Sequence, residues 1–568
     1  MLYSQLAEFY EKLEKTSKRL EKTEILAELL QKLKHEKDKS IAYLIRGRIF
    51  PDYDAREMGI SSQLVIKSVS KAMGISAGEV VKKWKSIGDL GRVAEEITAK
   101  KKQATLSKGI KLTTEKVLDN LKKLPDMQGK GTIDKKISLI AELLAAASPL
   151  ETRYIIRTLL SDLRIGVGEG VLRDAIVWAC FDKEDKEAYG IVQEAYDKAT
   201  DFALVFEQAC NGKDALQETE LAPGRPVKVM LFLKVKNVKE AFENMGKPLA
   251  AEFKYDGFRM LINKDEKGQV RIFTRRLDDV TNQFPEVKEY VERYVQAKTF
   301  IIDGEAVGFD AKTKRYKPFQ DISQRIKRKY GIEKMAKELP IEINIFDIIY
   351  YNGKSLLKEP FRKRREILER IVKGKRWQLV LAKQIVSDSE EEIEEFNKKA
   401  LAQGEEGIML KKLDAPYKPG ARVGYGVKLK PEENEFDLVI VKAEYGTGKR
   451  AGWLTSYTVA CQKDGHLLEI GKVSTGLKEK EEEGLSFMEI TKRLKPLITE
   501  EKGREVSVKP EIVVTVTYQN IQRSPTYSSG YALRFPRFTR ARPDRSAKDI
   551  ATLEEIEKEQ KKQAKVYF

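Results

Sequence analysis

At 568 residues the chain is too long for a single hydrophobic core, and its length predicts several domains. A formal net charge of +18 points to a polyanionic partner, nucleic acid ahead of an acidic membrane surface. Cys180, Cys210 and Cys461 are widely spaced and accompanied only by His35 and His466, which excludes a zinc constellation and a disulfide framework.

The opening, Met1-Leu2-Tyr3-Ser4-Gln5-Leu6-Ala7-Glu8, is acidic and amphipathic and lacks the form of a signal peptide. No apolar run is long enough to span a bilayer, so a cytoplasmic, nucleoid-associated protein without a membrane partner is expected. Residues 1–215 read as helices. Leu6, Phe9, Tyr10 and Leu13, then Ile25, Leu26, Leu29, Leu30 and Leu33, recur at helical spacing as core. Ser148-Pro149-Leu150-Glu151 has the pattern of a capping box with proline at the first helical position. The helix it opens runs to Leu163-Arg164-Ile165-Gly166-Val167-Gly168, and a second follows from Val171. Bare backbone at Gly166 and Gly168, with Arg164 beside it, either caps a helix or meets a phosphate. A basic helical region of this kind would grip DNA by shape and backbone without reading bases.

From 216 to 430 short strands mix with helices. Apolar alternation over 248–253 meets a second run over 258–262, which predicts a hairpin turning at Asp256-Gly257. Lys254 sits at that bend, as either a solvated cation or a nucleophile. A lysine amine attacks only when neutral, so a nucleophilic Lys254 needs its pKa lowered by burial or by cations such as Arg259. Further strands are expected over 270–276, 299–307, 343–350, 405–411 and 427–430, each delivering charge to one surface. The acidic run from Glu390 to Glu395 reads as a solvated helix face. Lys428 and Lys430 stand two apart and leave the same face, which suits phosphate oxygens. Glu305 and Glu406 are candidates to hold a divalent metal.

Residues 431–568 alternate well over 436–441, 456–460 and 512–516, with a turn at Lys463-Asp464-Gly465. Short strands with a basic loop at Gly446-Thr447-Gly448-Lys449-Arg450 suit a small barrel. Residues 534–545 set five arginines against one aspartate, a phosphate-binding tract.

Taken in order and over nearly the whole chain, these motifs resemble those of the ATP-dependent DNA ligases. The archaeal enzymes and the catalytic core of the eukaryotic replicative one are the most similar. Lys254-Tyr255-Asp256-Gly257-x-Arg259 looks like the nucleotidyl-lysine motif. Asp303-Gly304-Glu305, Phe346-Asp347, Glu406-Gly407-Ile408-Met409-Leu410-Lys411, Lys428-Leu429-Lys430 and the arginine tract look like those that follow it. The resemblance implies a multidomain α+β protein in three parts. These are an all-helical DNA-binding domain over 1–215, an α+β nucleotidyltransferase (adenylation) domain over 216–430 and a β-barrel OB-fold domain over 431–568.

It also implies sealing of 3′-hydroxyl/5′-phosphate nicks in duplex DNA through a lysyl-AMP on Lys254 and a DNA-adenylate, in replication, repair and recombination. ATP and Mg²⁺ (or Mn²⁺) would be required. By the same resemblance Glu252 accepts from the adenine amino group, Phe346 stacks on the ring, and Arg275 and Glu305 contact the ribose. Arg259, Arg422, Lys428 and Lys430 complete the nucleotide set, and Glu305 and Glu406 serve the metal. Arg540, Arg542, Asp544 and Arg545 approach the leaving pyrophosphate when the barrel closes about a hinge near Lys430-Pro431-Glu432-Glu433. Arg164, Gly166, Gly168, Lys449 and Arg450 face DNA.

Two positions depart from the family pattern. Gly426 stands where an aromatic is usual, two residues before Lys428, and the arginine tract closes with Asp544-Arg545 in place of Asp-Lys. The protein is expected to be a monomer. A sliding-clamp contact is placed near Gln103, or at the C-terminal tail ending in Tyr567-Phe568. The alternatives are an RNA ligase or capping-type nucleotidyltransferase, which does not usually carry the helical domain, and a non-catalytic nick-binding protein, which leaves Lys254 unexplained.

Overall fold

The structure is a computed structural model that describes every residue except 101–110, 128, 130, 318, 327, 329, 432–433, 447–449, 451, 480–484 and 568. From Tyr3 to Gln217 the chain is helical among the described residues. Leu6, Phe9, Tyr10 and Leu13 of the helix Tyr3–Lys15 are fully or nearly fully buried. So are Leu26, Leu29, Leu30 and Leu33 of Arg19–Leu33, while Ile25 stays at the edge of the same core. The capping box forms: Ser148 Oγ accepts from the Glu151 amide, and the Glu151 carboxylate accepts from the Ser148 amide at 2.7 Å.

Between the helices Pro149–Leu159 and Glu169–Cys180 the backbone enters the left-handed region at Ser161, Arg164 and Gly166. The buried Lys22 ammonium lies behind this loop and donates to the Ile165 and Gly166 carbonyls. Arg164 is held by Asp162 at 2.7 Å and by Asp89 at 3.5 Å.

The central part is built from two sheets. Its strands are β1 (Leu231–Val235), β2 (Leu249–Phe253), β3 (Phe258–Lys264), β4 (Val270–Thr274), β5 (Phe300–Gly308) and β6 (Ile341–Tyr351). They continue with β7 (Lys354–Ser355), β8 (Leu379–Leu381), β9 (Gln384–Ser387), β10 (Ile408–Lys412) and β11 (Arg422–Leu429). Among the described residues one sheet has the order β1-β11-β10-β2-β9, and the other runs β4-β3-β5-β6-β7 with β8 beside β6. The expected hairpin at Lys254 is therefore not one: β2 and β3 belong to different sheets, and 254–257 carries the chain from one to the other. Gly257 serves this crossing by its size and not by a turn conformation, because a Cβ there would lie 2.3 Å from the Ala306 carbonyl oxygen.

Period-2 alternation on β5 explains where the site falls. Phe300, Ile302 and Ala306 enter the core behind the sheet, which leaves Asp303 and Glu305 on the face turned toward the other sheet. Two apolar clusters bridge the sheets on either side of these carboxylates. One joins Val307 and Phe346 to Phe253 and Ile408, and the other joins Leu261 and Ile301 to Met230 and Tyr417. The acidic run lies on the helix Glu390–Ala402, whose Ile393 and Phe396 face inward.

The last part curls around a long strand, Asn434–Tyr445. Its first half pairs with Val513–Tyr518 and its second with Glu505–Val508, while Leu454–Lys463 runs along its other edge. Such double pairing bends a sheet into a small barrel. The turn at Asp464-Gly465 forms with both residues at positive φ. The tail is not extended: Leu553–Tyr567 is a helix, with Ile556 buried in the barrel core and Gln563 Oε1 accepting from the Ile521 amide at 2.9 Å. No helix among the described residues is long and apolar enough to cross a membrane.

Candidate active site

Lys254 is fixed by its backbone. Its amide donates to the Gly407 carbonyl and its carbonyl accepts from the Glu406 amide, both at 2.9 Å. Gly407 is at φ +129, and a Cβ there would lie 2.2 Å from the Leu429 carbonyl oxygen, so only glycine lets these segments meet. The result joins three motifs distant in sequence. The Lys254 ammonium pairs with Glu406 Oε2, and Lys430 reaches the same oxygen at 2.6 Å. Burial pushes the Lys254 amine down, but the Glu406 and Glu305 carboxylates outweigh it and hold the amine above its ordinary value. The expectation of a depressed lysine is thus reversed here, because the nearest charges are anionic. In this arrangement the amine is protonated.

The second wall comes from the facing sheet. Arg259 binds Asp303 in a two-pronged ion pair, with Nε to Oδ1 at 2.8 Å, and also donates to the Met230 carbonyl and the Tyr417 hydroxyl, both at 3.3 Å. Its guanidinium is therefore committed to holding the cleft together, 5.3 Å from the Phe346 ring. Glu305, two residues beyond Asp303, is pushed up to about 7 by burial, against the pull of Lys254 and Arg259. Lys428 and Lys430 are both lowered, first by burial; next comes repulsion from Lys430 and then Lys254, Arg275 and Arg422 at Lys428, and from Lys254 at Lys430. The cations selected from sequence for phosphate thus converge.

Glu252 lies 2 % exposed on β2. Lys411 pairs with its Oε2 at 2.6 Å and Gln384 donates to its Oε1 at 2.8 Å. The Lys411 ammonium also lies 4.7 Å from the Phe346 ring. Lys411 could have been found from sequence, since it closes the motif that begins at Glu406 and its strand pairs with that of Glu252. Gln384 left no such signal.

The arginine tract is divided. Arg534 reaches across from the barrel to Asp256 at 3.3 Å, with both side chains almost fully buried. Gln519 donates to Glu406 Oε1 at 2.6 Å. Arg540, Arg542 and Arg545 pair instead with Glu435 and Asp437 of the barrel's own long strand at 2.6–2.9 Å, and Asp544 pairs with Arg542. The barrel therefore presents Arg534 to Asp256 and Gln519 to Glu406, not the residues expected at the pyrophosphate. Arg450 pairs with Glu479 at 2.7 Å. Lys449, Gln103 and the hinge residues Glu432 and Glu433 lie outside the described residues.

Behind Lys254, Glu405 accepts from the Asp256 amide at 3.1 Å. Burial pushes its pKa up from 4.5 to about 8. A carboxyl raised on folding stabilises fully below its unfolded pKa, and that contribution is lost as pH rises through the folded value. Glu405→Gln keeps the acceptor and removes the charge. Its advantage over the parent is expected to grow by on the order of 3 kcal/mol between pH 5 and pH 9 in denaturant melts. An offset that does not change with pH would contradict this.

Comparison with known proteins agrees with this geometry. The family model of the ATP-dependent DNA ligase domain matches residues 229–430, that of the DNA ligase N terminus residues 2–177, and that of the ATP-dependent DNA ligase C-terminal region residues 450–545. The DNA ligase of Nanoarchaeum equitans is 46 % identical and that of Thermococcus fumicolans 41 %, each alignment covering 98 % of both chains. The solved structure Pmar-Lig_PreS3 shares the fold, with a TM-score of 0.53 at 17 % identity, covering 94 % of this chain and 99 % of that one. With family models on all three parts and such relatives along nearly its whole length, the chain belongs to the ATP-dependent DNA ligases.

Proposed function

We propose that this ligase seals nicks in duplex DNA through an adenylate carried on Lys254. The observation that supports it most is the convergence of Lys254, Glu406, Glu305, Lys428 and Lys430 on one cleft. Lys254 gives up an ammonium proton to solvent, its Nζ then forms a bond to the α-phosphorus of ATP, and the bond to pyrophosphate breaks. An oxygen of the nick's 5′-phosphate then takes the adenylyl group and Lys254 regains its proton. The 3′-hydroxyl attacks that phosphate and AMP leaves. Lys428, Lys430, Arg275 and Arg422 meet the phosphate charge that develops. Phe346 and Glu252 take the adenine ring and its amino group, with Lys411 and Gln384 orienting the carboxylate. Glu305 and Glu406 are hard oxygen donors, and the under-compensated charge of Glu305 fits a divalent cation; Mg²⁺ or Mn²⁺ held there would neutralise phosphate charge.

The docked barrel suits the later steps. Asp544 and Arg545 serve the first step only after the barrel turns about the segment following Lys430. The enzyme acts as a monomer at chromosomal nicks in the cytoplasm, and a sliding clamp would engage it near Gln103 or at the tail.

Incubation with Mg²⁺ and labelled ATP, GTP or NAD, followed by a denaturing gel, tests this. An acid-labile label from ATP, chased off by nicked DNA, is expected. Label from GTP, or a chase by RNA ends alone, would overturn it.

The loop 161–168 is the backbone grip on DNA. At Gly166, φ is +62 and a Cβ would lie 2.7 Å from the Lys22 ammonium. Gly166→Ala is expected to weaken binding of nicked duplex about tenfold by fluorescence anisotropy, with self-adenylation unchanged. A parallel loss of adenylation would remove the loop's specific role.

A further inference from the structure

β1 carries none of the site motifs, yet one of its rings stands against β11, the strand that carries Lys428. On β11, Gly426 shares the face of Lys428, two residues before it, and Lys430 stands just past the strand's end. Its cross-strand partner on β10 is Lys411, whose ammonium reaches Glu252 and Phe346. A Cβ at 426 would lie 2.8 Å from two carbons of the Phe232 ring, closer than real Cβ contacts come. That ring belongs to β1, which runs parallel beside β11. The register slips between Leu231 and Leu233, so that Phe232 falls against the stretch 422–427. Phe232 packs on the cluster containing Met230 and Tyr417, which with Asp303 hold Arg259 beside Phe346. It is only partly buried, so part of the ring remains available to a ligand.

We propose that Phe232 is a positioning residue of the nucleotide site, its ring supplying the apolar wall that Gly426 cannot. The inference rests on the adenylation reading above. Gly426 is small because the neighbouring strand already fills its place, and one ring serves both positions. An apolar wall touches the ground state and the transition state alike, so its loss raises KM and leaves kcat in place. A residue that merely held the fold would lower both activity and melting temperature.

The test measures initial rates of self-adenylation against ATP concentration in the full-length protein. For F232A, KM for ATP is expected to rise about tenfold with kcat within about twofold. G426F, with two rings in one place, is expected to lose labelling. F232A/G426F moves the ring from one strand to the next and should return KM to within a few-fold of the parent. An unchanged KM in F232A, or a double variant no better than G426F, overturns the proposal. Should G426F fail to fold, F232W keeps the question open to measurement: ATP should change its fluorescence beyond any change in the parent, and no difference counts against the role. A parent that takes no label from ATP would remove the adenylation reading itself. A labelled parent with an indifferent F232A removes only the role of Phe232.

Discussion

Lys254→Ala is expected to take no label from ATP, a loss of at least about 10⁴-fold in adenylation, while still sealing a nick supplied already adenylated. The sharpest competitor for the nucleophile is Lys430, whose ammonium lies on the same Glu406 oxygen and whose pKa is lowered, first by burial and then by Lys254. The two differ in how they are anchored. Lys254 is clamped by two backbone hydrogen bonds to 406–407 at the crossing between the sheets, whereas Lys430 stands just past the end of β11. Lys254→Arg is the companion experiment. It restores a cation to Glu406 without a usable nucleophile, so it should seal the adenylated nick at least as well as the alanine variant and still take no label. Residual label on the alanine variant, mapped to Lys430, would move the nucleophile.

Arg534→Ala is expected to slow sealing of a pre-adenylated nick by about 10²-fold while leaving self-adenylation within a few-fold. Breaking a buried ion pair by removing one partner costs about 3–5 kcal/mol, because the other charge stays buried and alone. Arg534 and Asp256 are 9 % and 6 % exposed, so the pair meets that condition, unlike the more exposed partners of Arg540. Removing it loosens only the docked arrangement. Asp544→Ala and Arg545→Ala should show the opposite split, slowing adenylation more than sealing, if they act at the first step as proposed above. Measuring both steps for the three variants decides the matter. Equal losses at both steps for Arg534→Ala would mean that the contact with Asp256 serves the fold and not one stage of the reaction.

The sequence by itself determined the helical first part, the alternating strands, the turn at Asp464-Gly465 and the capping box at Ser148, because each is a local pattern whose period or turn chemistry fits one conformation. It also singled out Lys254, Glu305, Glu406, Lys428 and Lys430 by the order of their motifs, and the fold brings them to one cleft. Only the tertiary structure decided which strand lies beside which. The run before Lys254 and the run after it read as a hairpin, yet they join two sheets, because alternation specifies a strand's two faces and not its neighbour. The same limit hid the protonated state of Lys254, set by a carboxylate about 150 positions later in the chain. It hid Gln384 beside Glu252 and the Phe232 ring over Gly426. It hid Arg534 on Asp256 as well, 278 residues apart. Local patterns follow from short-range sterics and hydrogen bonding, whereas a pocket's charge and walls depend on which distant segments the core brings within a few ångströms.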